Sequence, residues 1–481
     1  LGLWLCARTV RRASGRGQRR AAAPLPAVPR QVLAMAAVLV LGSFMTVLDL
    51  TIVNVALPSL GSSFGSPLSV VQWVVTGYTL ALAAVLPVTG WAVDRWGGRR
   101  VFLVSVALFT AGSGLCGVAW DAGSLIAFRV VQGAGGGLIV PVAMTLLLRA
   151  VPAERKGTAM AILSVPVLIG PMAGPVLGGI LTDALSWRWI FLVNLPVGAL
   201  TLVLGARLVP GGDRDPVRRP LDLVGLLTLS PGLAALFYGL TVAGEGGSPV
   251  SPGALLPVLA GGALVAAFVV RALRADRGPR AGRPPLLDLR LFSRPAYGRA
   301  VAAMVPFSAA YFGLLMAVPL YWQQERGLSG TATGLLMAPQ FLCSGTVMQL
   351  SGRIADRLPA RRLALPGALL AASAYLAVAL MAGGTGVPHG WVVAALGLLG
   401  VGVGLVNMPL MTAATRGLSG PETAGGTTAL NVVSRLAAGA GTALFALLLS
   451  VTDGFGTTLL CGAGLMALTV LGVLRLPGEP S

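Results

Sequence analysis

Asp49, at the start of the run LDLTIVNVALP (Leu48–Pro58), is the only acidic residue well inside any apolar stretch of this chain. An ionisable group in hydrocarbon is costly, and burial favours the neutral acid, which brings a protonated form within reach near neutrality. That is the chemistry of a proton carrier. The alternative is a structural carboxylate held by neighbouring hydroxyls such as Thr46 or Thr51. Arg129, in FRVVQGAGGG (Phe128–Gly137), lies about 9 Å below the outer end of its stretch, at a depth comparable to that of Asp49. An Asp49–Arg129 interaction therefore needs only that the two stretches be neighbours, and Gln132 and Gly133 share the arginine's helix face at i+3 and i+4. Its bland role is to glue helices through backbone carbonyls. Arg435 is the other embedded cation, and three readings stay open for it: attraction of an anionic part of a substrate, pairing with an unidentified group, or snorkelling to an interface.

A second set of charges sits in short turns. GWAVDRWGGRR (Gly90–Arg100) and its copy GRIADRLPARR (Gly352–Arg362) carry Asp94, Arg95, Arg99 and Arg100, then Asp356, Arg357, Arg361 and Arg362. Membrane orientation accounts for the arginines but not for the acids. An Asp there can accept hydrogen bonds at a helix N-terminus or pair with Arg149 or Arg155, forming a latch that breaks when that end opens, so a gating role is expected. In GPMAGPVLGG (Gly170–Gly179), Gly170, Gly174 and Gly178 recur every four residues and make a smooth face, Pro171 and Pro175 bend the helix, and Gly179 ends the run. Tyr311, Phe312 and Trp322 either line an adaptable cavity or face lipid. Four scattered cysteines and one histidine, His389, form no metal or haem pattern, so no metal site and no cofactor is expected, and no GxxxxGK[ST] string points to ATP.

These residues need elements that cross a bilayer. With 55% hydrophobic and only 11% charged side chains, and a mean hydropathy of +0.83, the chain is a polytopic membrane protein rather than a soluble one. Stretches of about 20 apolar residues fall at 31–58, 69–91, 100–120, 123–148, 157–182, 187–209, 221–243, 252–273, 297–323, 330–351, 362–382, 389–411, 424–451 and 454–475. Of 35 Lys and Arg, 31 fall in segments on the N-terminal side of the membrane, which predicts cytoplasmic N- and C-termini. The excess of +19 thereby reads as orientation rather than nucleic-acid binding. Charge alone does not separate fourteen spans from twelve, because removing the pair 221–273 preserves parity; length and apolarity favour fourteen.

The two GxxxDR segments are 262 residues apart (352 − 90), and PAERKGTA (Pro152–Ala159) resembles PETAGGTTA (Pro421–Ala429), with Glu154 and Glu422 268 apart. Two parallel six-span halves joined by an inserted pair give this order, with the binding cavity between the halves. The expected organisation is a basic tail (1–30), a six-span bundle (31–209), two inserted spans (221–273), an Arg/Pro-rich linker (274–296) and a second six-span bundle (297–475).

The five strings LDLTIVNVALP, GWAVDRWGGRR, FRVVQGAGGG, GPMAGPVLGG and WRWIFLVNLP (Trp187–Pro196), in this order, resemble the major facilitator superfamily and within it the fourteen-span drug:proton antiporters. The resemblance covers nearly the whole chain. It implies an all-α major facilitator fold, with proton coupling at Asp49 and Arg129, gating at the GxxxDR turns and closure by the glycine motif. It also implies export of amphipathic drug-like or natural-product molecules by alternating access, without enzymatic activity. The alternatives are a dedicated exporter of one endogenous metabolite, lipid or antibiotic, and a non-transporting receptor or scaffold. The partners expected are a small-molecule substrate, protons and lipid, with a monomer in a bacterial inner membrane; Tyr311, Phe312, Trp322 and Arg435 are candidate substrate contacts. A single embedded acid predicts a preference for monocationic, zwitterionic or neutral lipophilic compounds.

Overall fold

In hydrocarbon every backbone N–H and C=O must be satisfied within the protein, and a helix does this inside one segment. The computed structural model describes residues 29–211, 221–244, 251–275, 287–328, 330–355, 358–384, 387–452 and 454–476, and helices occupy all fourteen apolar stretches. They are α1 (Arg30–Phe64), α2 (Trp73–Trp96, tightened at Leu86–Val88), α3 (Gly98–Gly117), α4 (Ala122–Ala150), α5 (Val165–Ala184) and α6 (Trp189–Leu208). Then follow α7 (Leu223–Gly244), α8 (Pro252–Ala275), α9 (Pro295–Leu320), α10 (Gly330–Ala355), α11 (Ala360–Ala382), α12 (His389–Arg416), α13 (Gly420–Val451) and α14 (Phe455–Leu474). Among the described residues, twelve helices are long and apolar enough to cross a membrane, α7 and α8 included. The tail up to residue 28, most of the Arg/Pro-rich linker, Asp356 and Arg357 lie outside the described residues.

Local chemistry sets the helix ends. Gly65, at φ 59°, takes the left-handed conformation that closes α1 and returns its N–H to the Gly61 carbonyl. Capping boxes open α4 (Asp121 with Ser124) and α13 (Ser419 with Glu422). The internal repeat extends inside the helices: Pro141 in α4 and Pro409 in α12 are 268 residues apart (409 − 141), the spacing of Glu154 and Glu422.

The two halves are joined at the end that carries Arg149 and Lys156. There Met144, Leu148, Met160 and Ala161 of the first half pack in one apolar cluster with α9–α14, while Ala424, Ala429 and Val432 of α13 pack into the first half. A β-carbon on Gly90 would meet the Gly425 backbone at 3.4 Å, so α2 and α13 touch almost backbone to backbone. At the opposite end the cluster around Ile52, Leu60, Val71, Leu125 and Phe191 draws, among the described residues, on the first half alone. The inserted α7 packs on both α2 and α13, with Trp73 stacked on Tyr238 at 5.5 Å and Phe237 against Gly439.

Candidate functional site in the first half

Small residues on α5 decide which way α1 faces. A β-carbon on Gly170 would lie 2.4 Å from Val47 Cγ1, and one on Gly174 would lie 2.0 Å from Thr51 Oγ1, so only glycine permits this approach. Thr51 Oγ1 also donates to the Gly170 carbonyl at 3.2 Å. With Val47 and Thr51 pressed on α5, Asp49 is turned into the bundle, where it is fully buried.

There the carboxylate accepts from three side chains. Arg129 Nη1 donates to Oδ2 at 2.5 Å, Gln132 Nε2 to Oδ1 at 2.9 Å, and Asn194 Nδ2 to Oδ1 at 3.4 Å. Ser113 Oγ accepts from Gln132 Nε2 at 2.6 Å and from Asn194 Nδ2 at 3.3 Å. Arg129 further donates Nη1 to Gln132 Oε1 at 2.8 Å and Nε to the Val74 carbonyl at 3.0 Å, and its guanidinium lies 4.0 Å from the Tyr78 ring centroid. All five polar residues are at least 98% buried. The site thus ties α1, α2, α3, α4 and α6 together through one ionised pair.

The arrangement constrains any proton that enters. The carboxylate accepts three of the roughly four hydrogen bonds open to it, and only one of the three, from Arg129, falls on Oδ2. A buried pair that loses one partner leaves a charge uncompensated, at a cost of about 3–5 kcal/mol.

The turn residues are distributed over the Arg149 end. Asp94 Oδ1 accepts from Arg149 Nη2 at 3.1 Å, joining the ends of α2 and α4 within the first half. Arg99 Nη2 donates to the Ala206 carbonyl near the end of α6, and Arg95 and Arg100 are exposed. The direct links between halves come from residues the sequence did not single out. Lys156 Nζ donates to the Thr415 carbonyl at 2.8 Å and the Leu418 carbonyl at 3.2 Å, at the C-terminus of α12. Burial and then the Arg416 charge push this ammonium below the ordinary lysine range. The hydroxyls of Thr145 and Thr427 are 2.9 Å apart, and Gln349 Nε2 donates to the Ala161 carbonyl at 2.5 Å.

The remaining candidates are dispersed. Gly178 faces the Ile52 carbonyl of α1, whereas no described atom lies within 4 Å of a β-carbon on Gly179; Pro171 and Pro175 stand within α5. Tyr311 is half-buried and stacks on Phe307, and Phe312 is 42% exposed. Trp322 is fully buried beside Tyr321 and His389 at the far end of α9, away from the Asp49 network. Arg435 is half-buried midway along α13. Ser113, Asn194 and Tyr78 were missed by sequence reasoning; Asn194, a polar residue within the apolar WRWIFLVNLP, was the one with a readable signal.

The family model described as the Major Facilitator Superfamily matches residues 39–443. The chain is 40% identical over 425 residues to a protein named multidrug resistance protein B homolog from Mycobacterium tuberculosis, covering 87% of this chain and 76% of that protein. It is 31% identical to the multidrug export protein EmrB of Haemophilus influenzae, over 84% of this chain and 78% of the relative. Among solved structures, a double-tryptophan mutant of XylE superposes with a TM-score of 0.66 at 14% identity, covering 94% of this chain and 97% of that one. The human organic anion transporter MFSD10 superposes with 0.65 at 17% identity, covering 92% and 100%; at these identities both show the fold alone. The matched family model, the extent of the 40% relative and the all-helical two-bundle architecture together make this chain a member of the major facilitator superfamily, of the multidrug efflux type.

Proposed function

We propose that the protein is a proton-coupled exporter of amphipathic small molecules that works by alternating access in a bacterial inner membrane, with both termini cytoplasmic. The observation that carries this is the buried Asp49–Arg129 pair and its amide and hydroxyl partners, an arrangement a passive scaffold does not require. The names of the relatives support a broad substrate range. By the positive-inside rule the Arg149 end is cytoplasmic, so the arrangement with the halves joined there faces outward.

In the cycle, a proton from outside reaches Asp49 and displaces Arg129, and loosening of α1 from α4 favours parting of the cytoplasmic contacts. The carboxylate then releases its proton inward, Arg129 closes on it again, and the cytoplasmic end reseals around the substrate for release outside. The α5 glycines let α1 and α5 move as one packed unit. The Asp94–Arg149 pair stabilises the ends of α2 and α4 while the inside is shut. Inverted vesicles containing the protein should accumulate a lipophilic fluorescent probe when an inward-acid pH difference is imposed, and an ionophore that collapses the difference should stop accumulation. Accumulation that persists without any proton gradient would show that proton exchange is not the energy source.

A further inference from the structure

Arg435 stands at the centre of α13, 15 residues from Gly420 (435 − 420) and 16 from Val451 (451 − 435). That places it roughly 22–24 Å along the helix from either end, too deep for its side chain to reach an interface. Its register follows from its neighbours. Thr427 meets Thr145 of α4 and Asn431 Nδ2 meets Met144 Sδ at 3.6 Å; Arg435 is the next residue on that face, one turn further along α13. The adjacent Ser434 lies 3.4 Å from Ser308 of α9, and Gly439, one turn further, packs on Phe237 of α7. Arg435 therefore lies on the face of α13 turned toward the first half, half-buried, with its field reaching the Tyr78 hydroxyl of that half.

No carboxylate of the described residues pairs with it, because the embedded acid Asp49 is already held by Arg129, Gln132 and Asn194. Among the described residues the embedded charges Asp49, Arg129 and Arg435 thus sum to one uncompensated positive charge, located on α13 on the face turned toward the first half. The Tyr78 hydroxyl is buried and has no hydrogen-bond partner among the described residues. A lone guanidinium at this depth is costly unless something anionic joins it, and its planar fork suits a carboxylate or phenolate.

The geometry points to Arg435 as the residue that receives the anionic group of the substrate, so that amphipathic organic acids are the preferred cargo. This rests on the exporter reading above and reverses the cation preference that Asp49 suggests when considered without its partners. An inside-negative membrane potential assists the outward passage of an anion, so both the potential and the pH difference would drive such an exchange.

Binding, measured without transport, tests the idea independently of proton coupling. The full chain in lipid nanodiscs is titrated by calorimetry with 2-naphthoate, 2-naphthamide and a naphthylmethyl-trimethylammonium salt. The wild type should bind the carboxylate about tenfold or more tightly than the other two. Arg435→Gln should lose about that factor for the carboxylate alone, and Arg435→Lys, which keeps the charge, should fall between. Equal affinities for carboxylate and carboxamide in the wild type, tighter binding of the cation, or an equal loss for all three probes in Arg435→Gln would overturn the assignment. If Arg435→Gln does not fold, the Arg435→Lys comparison decides by the same criterion. Loss of proton-driven accumulation with the carboxylate preference intact would instead count against the proton-coupling reading and leave this one standing.

Discussion

Gly174→Ala is expected to damage coupling through packing rather than through contact with substrate. The new methyl would lie 2.0 Å from Thr51 Oγ1 and 2.7 Å from Thr51 Cβ, where ordinary contact begins at 3.4 Å. Rotating the Thr51 hydroxyl away relieves the first clash but forfeits its bonds to the Leu48 and Gly170 carbonyls. It leaves the second clash short by 0.7 Å (3.4 − 2.7), so α1 itself must shift by about that much. Asp49 is two residues away. Its 3.4 Å bond from Asn194 does not survive such a shift, and its bonds from Arg129 and Gln132 lengthen. Overpacking of this kind costs about 1–3 kcal/mol, a five- to 150-fold bias between states. Gly179→Ala is the internal control: nothing lies within 4 Å of its added carbon, and alanine gains up to about 1 kcal/mol in helix propensity. Proton-driven uptake in inverted vesicles, at matched expression and with melting temperature measured in detergent, should fall at least about fivefold for Gly174→Ala and stay at wild type for Gly179→Ala. Thr51→Gly combined with Gly174→Ala, which moves the vacant space across the seam, should recover part of the loss. Wild-type transport by Gly174→Ala, or equal impairment of both alanine variants, refutes the reasoning.

Asp94→Asn should lower turnover about fivefold or less with little change in substrate affinity, since both partners of the Arg149 pair are 22% exposed and such pairs contribute about 1 kcal/mol at most; unchanged turnover removes the latch. Lys156 is the only lysine in the chain and is 5% exposed, so an amine-reactive reagent should modify it on the order of tenfold more slowly in the sealed protein than after unfolding. Its lowered pKa favours the reactive free amine, so slow labelling reports occlusion, and rapid labelling would mean that the seal is open. Single cysteines in a Cys-free background should label from outside at Gly454 and from inside at Pro359, and the reverse pattern inverts the assignment of the sealed end.

The helices were legible because a bilayer crossing needs about 20 consecutive apolar residues, a criterion twelve of the fourteen meet among the described residues, and the repeat was legible because its turns carry charge. Matching depths allowed an Asp49–Arg129 contact, but it is the fold that makes α1 and α4 neighbours and brings the two together. The rest of the network was not readable: Ser113 and Tyr78 look like any small or aromatic residue in a membrane helix, and only packing brings them to Gln132 and Arg129. Trp322 illustrates the opposite difficulty, since sequence does not separate an aromatic that lines a cavity from one packed on Tyr321 and His389. The placement of α7 between α2 and α13 was equally hidden, because both faces of an apolar pair read alike. Lys156 was visible as a cation at a turn, but its reach to the α12 carbonyls belongs to the tertiary structure.

If Asp49 carries the proton, removing its carboxyl abolishes uphill transport. In proteoliposomes, Asp49→Asn preserves a near-isosteric side chain that costs less to bury and cannot exchange a proton. This variant should still equilibrate a lipophilic probe across the membrane but not accumulate it against its gradient under an imposed pH difference, whereas wild type does. Accumulation by Asp49→Asn at the wild-type rate and to the wild-type level would contradict the account and move the proton site elsewhere in the protein.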